Sequence, residues 1–287
     1  MPTTPNVGVT AALAGAAPAR TSLALFSLRD RVALVTGGHR GIGLEMALAL
    51  AEAGAVVYCL DLATEPSDNW KKVQSYVSAL PAGEQDLKGR LEYLAGDVRD
   101  QKAMWAAVEG IVQREGRIDI CMANAGILHW SDCLEYSAEN FKKVHEVNVC
   151  GVLFAAQAAG RQMVKLGIPG SIVLSASTSG HITNPTQHLT AYNSSKSAVL
   201  QMARSLACEL GPKKIRVNSI SPGYIVSDMT RGALDEPGLE ERLSAHNPMN
   251  RLGSTDELRG VALFLASDAS SFVTGADILI DGGQCSW

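Results

Sequence analysis

Nowhere in its 287 residues does the chain run apolar for the ~20 positions that a membrane-spanning helix needs, because glycine and charged residues break the most apolar stretches. That absence excludes a helical membrane protein and predicts a soluble one. The six cysteines, Cys59, Cys121, Cys133, Cys150, Cys208 and Cys285, lie far apart and form neither a C-x-x-C pair nor the framework of a short secreted chain. They predict small, mostly buried thiols in a reducing compartment, and hence a cytoplasmic protein. A basic stripe is also missing: 25 Lys and Arg against 29 Asp and Glu leave a net charge of −4, with the cations scattered, which speaks against a nucleic-acid partner. No cluster of His, Cys, Asp and Glu has ligand spacing, so no metal site is expected.

Residues 1–28 contain no acid and one base, Arg20, amid Ala, Thr and Pro. They predict a flexible N-terminal extension whose patch at 23–26 can dock on the domain; one arginine is thin support for the other reading, an organelle-targeting segment. The remainder, 29–287, is long enough for one large domain or two small ones, and the order of its segments decides for one. Short β-branched or apolar runs at 32–35, 55–60, 91–94, 118–122, 171–175, 216–220 and 277–280 alternate with helical periodicity at 41–53, 101–114, 138–165, 191–210 and 255–266. This alternation predicts an α/β fold: a doubly wound (Rossmann) seven-stranded parallel sheet with helices on both faces. Residues 63–89 read as a surface excursion, and 228–251 as a second insertion that forms a substrate loop.

The segment from Val35 to Gly43, with Gly37, Gly41 and Gly43, leaves a strand and enters a helix, where backbone N–H groups can meet a pyrophosphate. Asp61 ends the next strand 18 residues after Gly43, about where a dinucleotide fold presents an acid to the adenosine ribose. A carboxylate there binds the ribose hydroxyls and repels a 2′-phosphate, which favours NAD over NADP. His39 and Arg40 stand against this, as basic side chains that could neutralise such a phosphate. Further on, Tyr192 and Lys196 are four apart at the start of a helix, so phenol and ammonium share one face and the ammonium should favour the phenolate. The preceding strand ends in hydroxyls, Ser175, Ser177, Thr178 and Ser179, at the edge where open α/β sheets bind ligands.

Taken with Thr36-Gly37-x-x-x-Gly41-x-Gly43, Asp97, Asn124-Ala125-Gly126, Asn148 and Ser221-Pro222-Gly223, these residues resemble the short-chain dehydrogenase/reductase family, in its compact single-domain branch, over about residues 28–287. The resemblance implies that Tyr192 exchanges a proton with the substrate oxygen while a hydride passes between substrate carbon and nicotinamide. It implies that Lys196 lowers the tyrosine pKa and binds the nicotinamide ribose, that a serine holds the reacting oxygen, and that Asn148 holds a water connecting Lys196 to solvent. Ile42 would line the glycine turn, Asp97 and Val98 would meet the adenine, and Asn124, Ala125 and Gly126 would line the cofactor. Beyond Pro222 and Gly223, the Ile225 backbone and the Ser227 hydroxyl would meet the nicotinamide amide. For the serine, Ser177 is chosen as nearer the strand end, with Ser179 as the alternative; the choice assumes a two-residue insertion at 184–189.

The long serine-to-tyrosine loop and the residues from Asp281 to Trp287 look similar to fungal-type polyol dehydrogenases and sugar or ketone reductases. Ser179, His181, His188 and Trp130, with His129 and Gln187, are the residues expected to face substrate, and their polarity suits a hydroxylated molecule. The function read here is hydride transfer between a polyol and a ketose with NAD. The alternatives are an NADP-dependent carbonyl reductase of specialised metabolism and a non-catalytic dinucleotide-binding scaffold. The family also implies a homo-oligomer, tetramer or dimer.

Overall fold

The computed structural model describes residues 8–15, 20–80, 89–183, 187–227, 230 and 236–286. Seven strands, β1 (Val32–Thr36), β2 (Val56–Asp61), β3 (Arg90–Ala95), β4 (Ile120–Ala123), β5 (Gly170–Ser175), β6 (Ile215–Pro222) and β7 (Asp277–Ile280), form one parallel sheet in the order β3-β2-β1-β4-β5-β6-β7. The expected doubly wound α/β fold is present. Every residue of β1 and β4 is buried, as central strands must be when helices cover both faces.

The crossover helices are α1 (Gly41–Glu52), α2 (Asp68–Ala79), α3 (Gln101–Glu115), α4 (Ala138–His145), α5 (Val152–Leu166), α6 (Thr190–Leu210) and α7 (Arg259–Ala266). Met46 and Leu50 of α1, Trp70 and Val77 of α2, and Leu265 of α7 pack in one core layer. Met104 and Ile111 of α3, Ala159 and Met163 of α5, and Val199 and Ala203 of α6 pack in the other. The chain winds in one direction from β1 to β3 and in the other from β4 onward, so the ends of β1 and β4 diverge into a crevice.

Two expectations need correction. The stretch read as a surface excursion contains α2, capped by Ser67, whose hydroxyl accepts from Trp70 N at 3.3 Å; residues 81–88 lie outside the described ones. The single helix expected over 138–165 is interrupted by a π-helical turn, Glu146–Gly151. A Cβ on Gly151 would stand 2.7 Å from Val98 Cγ2, so the absence of a side chain lets that turn press onto Val98.

Before β1, Leu28 is buried with its N–H donating to Ala53 O at 2.9 Å, and Arg20 pairs with Asp268. The expected substrate loop includes a helix, Leu239–Ser244, while 228, 229 and 231–235 lie outside the described residues, as do 184–186 in the serine-to-tyrosine loop and Trp287. Among the described residues no helix is long and apolar enough to cross a membrane, and no group of three or more His, Cys, Asp or Glu could hold a metal ion.

Candidate active site

Thr36 joins the two central strands at their carboxyl ends: its hydroxyl accepts from Asn124 N at 3.0 Å and Ala125 N at 3.1 Å. Asn124 extends the tie, donating from Nδ2 to Thr36 O at 3.2 Å and accepting at Oδ1 from the Ser175 hydroxyl at 3.1 Å. Gly37 follows directly, with Ala125 beside it, and the turn closes so tightly that a Cβ on Gly43 would stand 2.0 Å from Gly37 O. Gly41 has a φ of 54°, and the nearest atom to a Cβ there is Ser227 Cβ at 3.9 Å. A cavity of about 210 Å³ runs from Gly41 along the flank of α1, past Leu44, Glu45 and Leu48 to Val73 of α2, with Val226, Ser227 and Thr255 opposite. The turn itself fits a dinucleotide pyrophosphate: a helix N-terminus approached by glycine backbone, where a Cβ on Gly41 would meet nothing nearer than 3.9 Å. Ile42 supports it by packing into the core layer beneath α1.

Asp61 ends β2 with its carboxylate held by two backbone donors, His39 N at 3.2 Å and Leu62 N at 2.8 Å. The His39 ring is committed elsewhere. Its Nε2 accepts from Ser67 N at 3.1 Å, which leaves the proton on Nδ1, 3.2 Å from Tyr93 Oη, and the tyrosine donates onward to Ala63 O at 2.8 Å. The His39 ring thus spans from the glycine turn to the α2 N-terminus instead of standing free to meet a phosphate. Arg40 precedes α1 as an exposed residue.

Asp97 is held by Arg99, Nη2 to Oδ2 at 2.6 Å, which keeps its carboxyl below the usual range; the Val98 side chain is buried against Gly151 of the π-helical turn. Pro222 closes β6, with Gly223 N donating to Ile280 O at 3.0 Å. Thr230 pins the segment that follows, its hydroxyl donating to Ile225 O at 2.8 Å and accepting from Ser227 N at 2.9 Å.

The reactive groups meet above β5. Tyr192 is half-buried and in hydrogen-bonding contact with the Ser177 side chain. Of the two serines proposed from sequence, Ser177 faces the phenol, and its hydroxyl also accepts from Ser179 N at 3.1 Å. Burial pushes the Tyr192 phenol above its ordinary value, and the Ser177 hydrogen bond pulls the other way. Lys196 is itself driven down to about 8 by burial; its Nζ donates to Ser175 O at 2.7 Å and stands 5.5 Å from the centre of the Tyr192 ring.

Asn148 projects from the π-helical turn, fully buried. Its Oδ1 accepts from Ile127 N at 2.8 Å, and its Nδ2 donates to Ile127 O and to Ser195 Oγ, each at 3.0 Å. It thus fixes the backbone just beyond Gly126, whose missing side chain leaves room between Asn148 and Lys196. Ser195, not anticipated from the sequence, links Asn148 to Tyr192 by donating to Tyr192 O at 2.7 Å.

Of the residues expected at the substrate, His188 stays at the rim, its Nδ1 3.5 Å from Asp132 Oδ2, and Trp130 is half exposed beside it. Ser179 is buried next to Ser177. His129 contacts Tyr136 Oη at 3.1 Å. His181 departs from expectation: its Nε2 lies 2.7 Å from Asp277 at the start of the edge strand β7, so the ring is engaged by a carboxylate of the protein itself. Tyr224 was not anticipated. It follows β6 and its hydroxyl donates to Gln187 Oε1 at 3.2 Å; the dipeptide Gly223-Tyr224 at a strand's carboxyl end was the available signal.

A family model described as Enoyl-(Acyl carrier protein) reductase matches residues 37–284. The short-chain dehydrogenase/reductase notP' of Aspergillus versicolor is 38% identical over 269 residues, covering 92% of this chain and 90% of that one. Sorbose reductase sou1 of Schizosaccharomyces pombe is 39% identical over 265 residues, 91% of this chain and 98% of its own length. The crystal structure of a gluconate 5-dehydrogenase from Burkholderia cenocepacia in complex with NADP and tartrate superposes with a TM-score of 0.81 at 30% identity, covering 93% of this chain and all of that one. With the glycine cradle and the Ser177-Tyr192-Lys196 cluster, these matches establish that the chain belongs to the short-chain dehydrogenase/reductase family and is an NAD(P)-dependent oxidoreductase.

Proposed function

We propose that the protein interconverts a secondary alcohol and a ketone, a polyol and its ketose, with NAD as the preferred cofactor. The observation that carries the chemistry is the half-buried Tyr192 phenol in contact with Ser177, with the Lys196 ammonium on the same face of α6. Gly37, Gly41 and Gly43 would hold the pyrophosphate, Asp61 the adenosine ribose, and Ile225 and Ser227 the nicotinamide end. When bound, the nicotinamide supplies or accepts the hydride.

In the direction of reduction, Ser177 donates a hydrogen bond to the substrate carbonyl oxygen and Tyr192 delivers the proton to it as the alcohol forms. The phenolate left behind is stabilised by the Lys196 ammonium, which can hand on a proton because burial has already lowered its pKa to about 8. Ser175, by accepting from Lys196 and donating to Asn124, keeps that ammonium in register with the crevice. In oxidation the same groups act in reverse.

NAD is favoured by the Asp61 carboxylate, fixed by two backbone N–H groups where a 2′-phosphate would have to sit, and by the engagement of the His39 ring. The NADP reading keeps one support within the chain, the exposed Arg40. The polyol reading is supported by the similarity to a sorbose reductase and by the polar rim of Gln187, His188 and Tyr224.

The test follows nicotinamide absorbance with NAD⁺ and NADP⁺ offered separately against sugar alcohols and plain secondary alcohols. Polyol turnover with NAD⁺, reduced by about a thousandfold or more in Tyr192→Phe, is the expected result. Turnover confined to NADP⁺ would overturn the cofactor assignment, and dinucleotide binding without turnover of any alcohol or ketone would favour a scaffold.

A further inference from the structure

The residues from Ser177 to His181 make one rigid piece at the end of β5. Ser177 caps a 3₁₀-helical turn, Thr178–Gly180, its hydroxyl accepting from Ser179 N at 3.1 Å and its carbonyl from Gly180 N at 2.9 Å. His181 closes the turn, donating its N–H to Thr178 O at 2.9 Å. Where the Ser177 hydroxyl lies against Tyr192 is therefore set by where the turn as a whole is held.

The turn is anchored on several sides. Gly180 lies so close to α6 that a Cβ on it would stand 2.8 Å from Leu200 Cδ1 and 2.9 Å from Lys196 C, and its carbonyl accepts from the Ser197 hydroxyl at 2.9 Å. Thr178 donates from its hydroxyl to Pro222 O at 3.4 Å. The remaining anchor is the His181 ring, with Nε2 2.7 Å from Asp277 Oδ2 on the edge strand β7. A carboxylate only accepts, so the imidazole donates. Asp277 is itself fixed, because its Oδ1 accepts from the hydroxyls of the buried Ser219 and Ser221 of β6 at 2.6 and 2.9 Å.

None of this is needed to build the sheet, since β6 and β7 pair from Ser219 to Pro222 through their backbones. His181 is exposed, and an exposed pair of this kind contributes little to stability. What it adds is a strut between a fixed carboxylate and the turn that carries the serine. We propose that His181, held by Asp277, is a positioning residue for Ser177, keeping its hydroxyl aligned with the oxygen to which Tyr192 passes its proton. Misplacing a reacting group by roughly 1 Å can cost on the order of 100-fold in rate. The proposal rests on the reading above in which Ser177 and Tyr192 hold the reacting oxygen.

The experiment measures kcat and KM for reduction of a ketose, or of a plain ketone if no ketose is reduced. It compares wild type, His181→Ala, His181→Gln, Ser177→Ala and the double variant Ser177→Ala/His181→Ala, with dinucleotide affinity as the check on folding. His181→Ala should lower kcat by about 10- to 100-fold and change KM by less than about threefold. His181→Gln, whose amide still offers an N–H to Asp277, should recover most of that loss. Once Ser177 is gone nothing is left to position, so adding His181→Ala should cost less than about a further threefold. Equal losses with and without Ser177 overturn the proposal. So does a raised KM at unchanged kcat, which would make His181 a substrate contact, and so does a wild-type rate in His181→Ala beside an impaired Ser177→Ala. Full turnover in Ser177→Ala overturns the role of Ser177 and this proposal with it.

Discussion

At the scale of single residues, Tyr192 and Lys196 are pushed in opposite directions by one cause. Enclosure penalises the charged form of each, so the phenol rises and the ammonium falls to about 8. A proton donor works from its protonated form. Ketone reduction should therefore hold level from about pH 6 to 8 and decline only at higher pH, as Tyr192 and Lys196 lose their protons. Alcohol oxidation needs the phenolate and should climb across the same interval. Initial rates in both directions, measured with saturating cofactor, check this; an oxidation rate that falls as pH rises from 6 to 8 would remove Tyr192 as the proton acceptor. Tyr192 and Lys196 share a face of α6 as their four-residue spacing predicted, and the glycine turn joins β1 to α1 as read, whereas Asn148 was offered by the family resemblance alone. The fate of His181 was not legible, since it is decided by Asp277, 96 residues away. His39 was misread for the same reason: Ser67 and Tyr93, which engage its ring, come from separate elements.

At the scale of elements, strands were easier to read than the breaks between and within helices. A buried parallel strand declares itself by an unbroken run of Val, Ile and Leu, whereas α2 hides a narrow apolar stripe, Trp70, Val73 and Val77, among polar residues. Ser67 followed by Asp68 was the overlooked start signal. The π-helical turn left no compositional trace, because it depends on what α5 must clear: Gly151 lies against Val98. Gly151→Ala should overpack that contact and cost about 2 kcal/mol, with activity falling as Asn148, on the same turn, is displaced. Val98→Ala, destabilising alone through the cavity it leaves, should offset part of that cost, so that the double variant is more stable than the two separate losses predict. Urea unfolding of the four proteins measures the coupling. Strict additivity would show that the turn does not depend on this contact.

At the scale of the whole molecule, the sheet separates what binds from what holds. Thr36, Asp61, Asn124, Ser177 and Tyr224 all lie at or just beyond the carboxyl ends of their strands, as the doubly wound pattern read from the sequence requires. The opposite end is tied by Asp119, immediately before β4. Its buried carboxylate accepts from Val32 N at 2.9 Å and from Arg117 at 2.8 and 2.7 Å, with Arg31 at 3.4 Å. Arg31 also reaches Asp268, which holds Arg20, so one network joins the segment before β1, the start of β4 and the turn after α7. No periodicity or motif announces such a network, because its members are charged residues scattered over 249 positions that look like ordinary surface. Asp119→Ala strands a backbone donor and two guanidinium groups and should lower stability by about 3 kcal/mol. Since the strand ends proposed to bind the dinucleotide lie across the sheet, its dissociation constant at low temperature should change by less than about twofold. Denaturant unfolding and fluorescence titration on the same variant separate the two effects. A large loss of dinucleotide affinity in a variant that remains folded would show that the two ends of the sheet are coupled, contrary to the separation the topology implies.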